Sequence, residues 1–274
     1  MHYFPDAATA RTLSTEELRS RFLFSGLFEP GKIVLNVTDL DRLVVGGAVP
    51  RGEALRLEPP AGLRAEYFTE RRELGALNIG GSGTITVDGK SHAMAKRDVL
   101  YVGKGARDVR FASDDPSAPA RYYLVSYPAH TSHPSSRVTA SEAHQTELGS
   151  ADKANRRRIS RYIHADGVKS GQLVMGVTVL EPGSVWNTMP AHTHNRRTEI
   201  YLYFDLPADA VVVHLMGEPD QTRSIIVRDG EAVLSPGWSI HTGCGTSSYS
   251  FCWAMGGENQ DYADMDPVDM RKLR

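Results

Sequence analysis

Apolar and polar residues alternate with two different periods along this chain. One short stretch has helical spacing. Ser14-Thr-Glu-Glu17 forms a capping box, and Leu18, Phe22 and Leu23 follow on one face before Gly26 ends the run. From residue 33 the pattern becomes that of strands. Segments 33–37, 43–45, 77–79, 84–87, 99–102 and 122–126 are short and β-branched or aromatic, with turn signals such as Asp88-Gly89 and Gly103-Lys-Gly105 between them. A second series starts at 172–180 and continues through 199–206, 211–216, 224–228, 232–234 and 250–255, with Asp229-Gly230 as another hairpin signal. Between the two series, residues 127–155 are rich in Pro, Ser, Thr and charge and read as a linker or an excursion.

The halves share a cadence: Thr86-Val-Asp-Gly89 and Tyr101-Val-Gly-Lys104 echo Val227-Arg-Asp-Gly230 and Ser235-Pro-Gly237, as an internal duplication would produce. Many short strands with tight turns predict an all-β chain of two small jelly-roll barrels behind an N-terminal helix. The expected division is 1–150 for the first barrel and 151–274 for the second. The helix is expected to pack on a larger body or another subunit, with a surface helix that has no function of its own as the better reading.

Bulk properties narrow the function. A chain of 274 residues with 41% hydrophobic content and 25 glycines suits a globular protein with many turns. Its formal charge of −2 leaves no basic footprint for nucleic acid. No stretch has the apolar length of a membrane span, and Met1-His-Tyr-Phe-Pro5 lacks signal-peptide character. Two cysteines, Cys244 and Cys252, are too few for a disulfide framework and suit a reducing cytoplasm. Cys244 is expected as a free, half-buried thiol. Arg156-Arg-Arg158 reads as a solvated surface turn.

The chemistry concentrates in Met189-Pro-Ala-His-Thr-His-Asn-Arg-Arg-Thr-Glu-Ile-Tyr-Leu-Tyr-Phe204. His192 and His194 lie two apart, so a strand projects both imidazoles one way. Glu199 follows, sharing a face with Tyr201, Tyr203 and Asp205, while Ile200, Leu202, Phe204 and Leu206 take the other. His241 closes Ser235-Pro-Gly-Trp-Ser-Ile-His241. Three imidazoles and a carboxylate make a divalent metal site, compatible with zinc, iron(II), manganese or nickel. Structural zinc favours cysteine-rich shells, so a site that admits substrate is the better reading. Tyr249, Phe251, Trp253 and Met255 share one face of the last strand. One of Arg196 and Arg197 could bind an anionic substrate oxygen, with solvent exposure expected for at least one of the pair, and Arg161 and His164 are further candidates for the pocket.

The ligand spacing resembles the cupins, except that Gly245 stands where their second motif carries an asparagine. The longer segments Pro190–Phe204, Met216-Gly-Glu-Pro-Asp-Gln-Thr-Arg223, Ser235-Pro-Gly-Trp-Ser-Ile-His-Thr-Gly243 and Phe251-Cys-Trp-Ala-Met-Gly-Gly-Glu-Asn-Gln-Asp-Tyr-Ala-Asp-Met265 resemble the 5-keto-4-deoxyuronate isomerase family. Tyr162-Ile-His164 and Gln172-Leu-Val-Met-Gly176 extend that likeness over nearly the whole chain. The resemblance implies two cupin barrels, with zinc held in the second by His192, His194, Glu199 and His241 and none in the first. It also implies a homo-oligomer, usually a hexamer, acting in pectin-derived uronate breakdown. The implied reaction interconverts 5-dehydro-4-deoxy-D-glucuronate and 3-deoxy-D-glycero-2,5-hexodiulosonate. Moving a carbonyl from C1 to C2 calls for a polarising ion and either a base, for which Asp205, His164, a tyrosine of the Glu199 face and a metal-bound hydroxide are the candidates, or a metal-assisted hydride shift that needs none. Arg161, Arg197, Tyr203 and Met255 are expected to contact substrate. Two other classes fit the same ligands: an iron-dependent dioxygenase, and a non-catalytic sugar-binding cupin.

Overall fold

Ser14 starts the helix Thr15–Phe22 as the capping box requires: its hydroxyl accepts the Glu17 N–H, and the Glu17 carboxylate accepts the Ser14 N–H at 2.8 Å. The computed structural model, which describes all residues 1–274, places this helix within the second of two compact units. Leu18 and Phe22 are buried, with Phe22 edge-on to Trp238. The Arg223 guanidinium donates to the carbonyls of Ala10, Arg11 and Leu13, and Leu23–Phe24 adds as an edge strand to Ala232–Ser235. The helix expected ahead of the first barrel is therefore a part of the second unit.

The first unit comprises Met1–His2, Gly26–His144 and Arg161–Met175. Its six-stranded antiparallel sheet runs in the order Ser136–Val138, Val99–Val102, Arg72–Asn78, Tyr122–Pro128, Val44–Ala48, Ile33–Val37. A four-stranded sheet runs Leu55–Arg56, Val109–Ser113, Gly83–Val87, Lys90–Met94. Leu74, Ala76, Leu100 and Leu124 of one sheet and Ile85, Val87 and Phe111 of the other share a single core. Asp88 and Gly89, both at positive φ, make the tight turn that the sequence signals.

The second unit comprises Tyr3–Ser25, Gln145–Ser160 and Gly176–Arg274. Its larger sheet runs Leu23–Phe24, Ala232–Ser235, Arg197–Phe204, Ser250–Gly257, Val174–Leu180, Arg157–Ile163, His144–Leu148, with the far ends of the last three strands counted in the first unit. The smaller sheet runs Trp186–Asn187, Thr242–Gly245, Val212–Met216, Arg223–Val227. Both units are thus two-sheet antiparallel barrels of cupin type.

Two expectations need correction. Residues 127–155 are not purely a linker, since Ser136–Val138 and His144–Leu148 join sheet edges. The run at 156–158 is not a surface turn, because Arg157–Ile163 is a strand. The basic run hid the start of an interior strand, whereas His144–Leu148 is an edge strand exposed throughout, so its polar side chains look like a linker's. No helix is long and apolar enough to cross a membrane.

Candidate metal centre and its pocket

The two-residue strand His192–Thr193 pairs with Asp266–Pro267. The chain then turns, the Arg197 N–H donating to the His194 carbonyl at 3.1 Å, and enters the buried strand Arg197–Phe204. Its register sets Glu199 opposite Met255 on one side and Ser235 on the other. Ser235 opens the Pro-Gly turn that delivers His241.

The four side chains converge, their nearest ligand atoms all within 4.8 Å of one another. Glu199 Oε2 lies 2.8 Å from His194 Nε2 and 3.0 Å from His241 Nε2, and His241 Nε2 lies 3.0 Å from His192 Nε2. The Nδ1 atoms of His194 and His241 each face a backbone carbonyl, of Arg197 and Ser239, at 3.4 Å. That turns Nε2 of both rings to the centre.

Burial drives the Glu199 carboxyl up, but His241 and His194 together outweigh it and hold it below the ordinary carboxylate range. Burial, reinforced by His241, pushes His192 down to about 3. An ionised carboxylate and a neutral imidazole with its lone pair free are the states a cation requires. Ligand atoms bonded at about 2.0–2.2 Å to a tetrahedral ion stand roughly 3.3–3.5 Å apart; here three of the separations are 2.8–3.0 Å and all fall within 4.8 Å. The cluster fits a divalent metal ion. Neither cysteine belongs to it; both are free, and Cys252 is buried.

His192, His194 and Glu199 line a pocket of about 360 Å³. Cross-strand neighbours build its wall, Met255 opposite Glu199 and Trp253 opposite Tyr201, with Phe251 continuing it on the strand Ser250–Gly257. Trp253 donates through Nε1 to Thr178 Oγ1 at 3.1 Å and lies over Gly176, where a Cβ would collide with the indole ring. At Gly245 a Cβ would meet the Tyr249 ring at 2.7 Å, so the asparagine of the cupin pattern has no room. Tyr249 bonds instead to Asn187 Oδ1.

The remaining candidates separate by position. Met255 and Arg197 line the pocket. Arg197 gives two of its nitrogens to the carbonyls of Asp261 and Asp264, at 2.5 and 2.7 Å. Arg196 grips the carboxylates of Asp264 and Asp266 at 2.6–3.0 Å, which holds Asp264 below the usual carboxylate range. Both arginines thus pin the segment that brings Tyr262 against Trp253, ring centroids 5.3 Å apart. Tyr203 lies behind the wall, its hydroxyl 2.7 Å from His214 Nδ1, and does not line the pocket. Asp205 leaves the Glu199 face because the strand ends at Phe204. Its own φ is +60°, and Ser250 Oγ donates to its carboxylate at 3.1 Å. Arg161 and His164 fall in the first unit and are not among the lining residues.

Sequence reasoning passed over Arg157, which lines the pocket beside Ile159, whereas Arg158 is exposed beside Glu147 and Glu181. The i, i+2 spacing of Arg157 and Ile159 was the available signal.

Residues 25–271 match the KduI/IolB family. A 4-deoxy-L-threo-5-hexosulose-uronate ketol-isomerase of Caldicellulosiruptor bescii is 53% identical over 264 residues, 96% of each chain. One from Opitutus terrae is 53% identical over 275 residues, covering 100% of this chain and 99% of its own. One from Kineococcus radiotolerans is 54% identical, covering 96% and 95%. Among solved structures, an IolB-like protein from Salmonella typhimurium superposes with a TM-score of 0.74 at 13% identity, covering 90% of this chain and 96% of its own. The Lactobacillus farciminis oxalate decarboxylase formate complex superposes with a TM-score of 0.59 at 10% identity, covering 90% and 88%. At such identities these structures speak for the fold alone.

Proposed function

The chain belongs to the KduI/IolB family, and from that premise we propose that it is a metal-dependent ketol-isomerase. Its substrate on this reading is 5-dehydro-4-deoxy-D-glucuronate, converted reversibly to 3-deoxy-D-glycero-2,5-hexodiulosonate. The observation that carries the reading is 53% identity sustained over 275 residues, 99% of a chain that bears the ketol-isomerase name. The convergence of His192, His194, Glu199 and His241 on a pocket supports it.

Those four side chains would hold the ion, which we propose to be zinc. When bound, it supplies Lewis acidity that polarises a substrate carbonyl. The chain's own residues do the rest. Glu199 is the one carboxylate lining the pocket, and the His241 and His194 imidazoles outweigh its burial and keep it ionised. Tyr201 stands 3.0 Å from Thr188 Oγ1, and burial raises its pKa far enough to keep the hydroxyl protonated, available to a substrate oxygen. Phe251, Trp253 and Met255 exclude water and present an apolar wall that suits the deoxygenated carbon.

His192→Ala and His241→Ala should lose bound metal by elemental analysis and lose turnover with it; full activity in either metal-free protein sinks the proposal. Chelation should lower thermal stability, since an ion present at a thousand times its Kd contributes about 4 kcal/mol. Turnover in heavy water distinguishes proton transfer, which brings label into C1, from a direct hydride shift.

A further inference from the structure

The structure assigns the substrate's carboxylate to Arg157, an inference that rests on the isomerase reading. An acidic open-chain sugar entering this pocket needs a cation away from the metal cluster to fix which end faces the ligands. Four arginines stand near enough in sequence or space to be considered, and three are otherwise engaged. Arg196 is paired with Asp264 and Asp266. Arg197 gives Nη1 and Nη2 to two carbonyls of the segment it anchors, which leaves Nε alone, buried and without a partner, and so no two-nitrogen edge for a carboxylate. Arg158, on the opposite face of the strand, is exposed beside Glu147 and Glu181.

Arg157 differs from all three. It lines the pocket without a carboxylate partner, as Arg197 does, but of the two it alone keeps two adjacent guanidinium nitrogens without a protein partner. Its hydrogen bond runs from Nη1 to the Asn155 carbonyl, 2.8 Å away. Nε and Nη2, one complete edge of the guanidinium fork, are left for a ligand, and that edge is the geometry that takes a carboxylate with two parallel bonds. The surrounding groups favour the same occupant. Burial lowers the pKa of Arg157, a sign that the charge is desolvated without an acid to compensate it. The groups facing it, Tyr201, Tyr249 and Tyr262, are phenols rather than carboxylates. A substrate carboxylate would supply the missing countercharge, while the carbonyl end of the molecule would lie toward His192, His194 and Glu199.

Because the carboxylate takes no part in the isomerisation, its contact with Arg157 is the same in ground and transition states, and its loss should appear in KM. Arg157→Gln should raise KM for the uronate about 10- to 100-fold with kcat little changed, the size expected for hydrogen bonds to a charged group. Metal content should stay at the wild-type level, and the preference for the acid over its neutral carboxamide should vanish. Arg157→Lys should recover part of the loss. Added guanidinium should restore activity to Arg157→Ala, which a purely structural role would not allow. Arg158→Gln serves as the unaffected control. Unchanged kcat/KM in a folded, metal-loaded Arg157→Gln would overturn the assignment, as would a fall in kcat at constant KM. If Arg157→Gln does not fold, the Arg157→Lys protein decides: wild-type KM and wild-type discrimination against the carboxamide refute the proposal. Wild-type protein that never turns over the uronate defeats the isomerase reading itself, a distinct result.

Discussion

Glu73 offers the sharpest stability test, because its carboxylate is fully buried and every bond to it can be named. Oε2 accepts from the Tyr101 hydroxyl at 2.8 Å and the Gly171 N–H at 2.5 Å. Oε1 accepts from the N–H groups of Gln172 and Leu173, each at 2.8 Å. One side chain therefore satisfies three consecutive backbone donors about a hundred residues away in the first unit. Replacing Glu73 by Gln keeps the shape and turns one oxygen into a donor. The less damaging orientation puts the amide NH₂ where Oε2 was, since the Tyr101 hydroxyl can rotate to accept. The Gly171 N–H then loses its acceptor, at about 1–3 kcal/mol, and the remaining bonds lose charge assistance, at about 1 kcal/mol each. Relief of the buried charge returns part of that, leaving roughly 3 kcal/mol of destabilisation. Glu73→Ala should cost more, for it strands all three N–H groups and opens a cavity. Urea unfolding followed by far-UV circular dichroism gives the free energies, and amide exchange at 171–173 should accelerate in both variants. A loss below about 1 kcal/mol in Glu73→Ala, with exchange at those amides unchanged, would refute the account.

Gly176→Ala should displace Trp253, which has no space for a methyl beneath it, at a cost of about 1–3 kcal/mol; a shifted tryptophan emission and reduced kcat/KM are the expected signs. His214 is fully buried and burial lowers its pKa to about 3, so between the ordinary value of 6.5 and about 3 the unfolded chain binds a proton that the folded chain refuses. Stability from this group is intact above pH 6.5 and drains away as the pH falls, by up to about 1.4 kcal/mol per unit. His214→Phe should flatten the acid limb of the stability curve by about one proton in chelator-treated protein, and an unchanged slope would refute it.

The parts of the molecule legible in the sequence were those governed by short-range rules. Ser14 and Glu17 sit three residues apart, and a capping box needs nothing more. Glu199, Tyr201 and Tyr203 share a face by strand periodicity alone, and the pairing with Met255, Trp253 and Phe251 preserves it. Periodicity cannot say where a strand stops, however. Asp205 inherits the Glu199 face only while the backbone stays extended, and at φ +60° it does not. Nor does a shared face put a residue in a pocket, as Tyr203 shows by bonding to His214 behind the wall. The arginines illustrate a different gap. All carry the same charge, and a sequence cannot reveal which of them is already satisfied. Carboxylates 68 and 70 residues away occupy Arg196, carbonyls 64 and 67 residues away occupy Arg197, and Arg157 within a basic run keeps one edge of its fork. Long-range hydrogen bonding therefore decides which pocket cation keeps a free edge, and a run of three arginines reads as surface although its middle member lines the pocket.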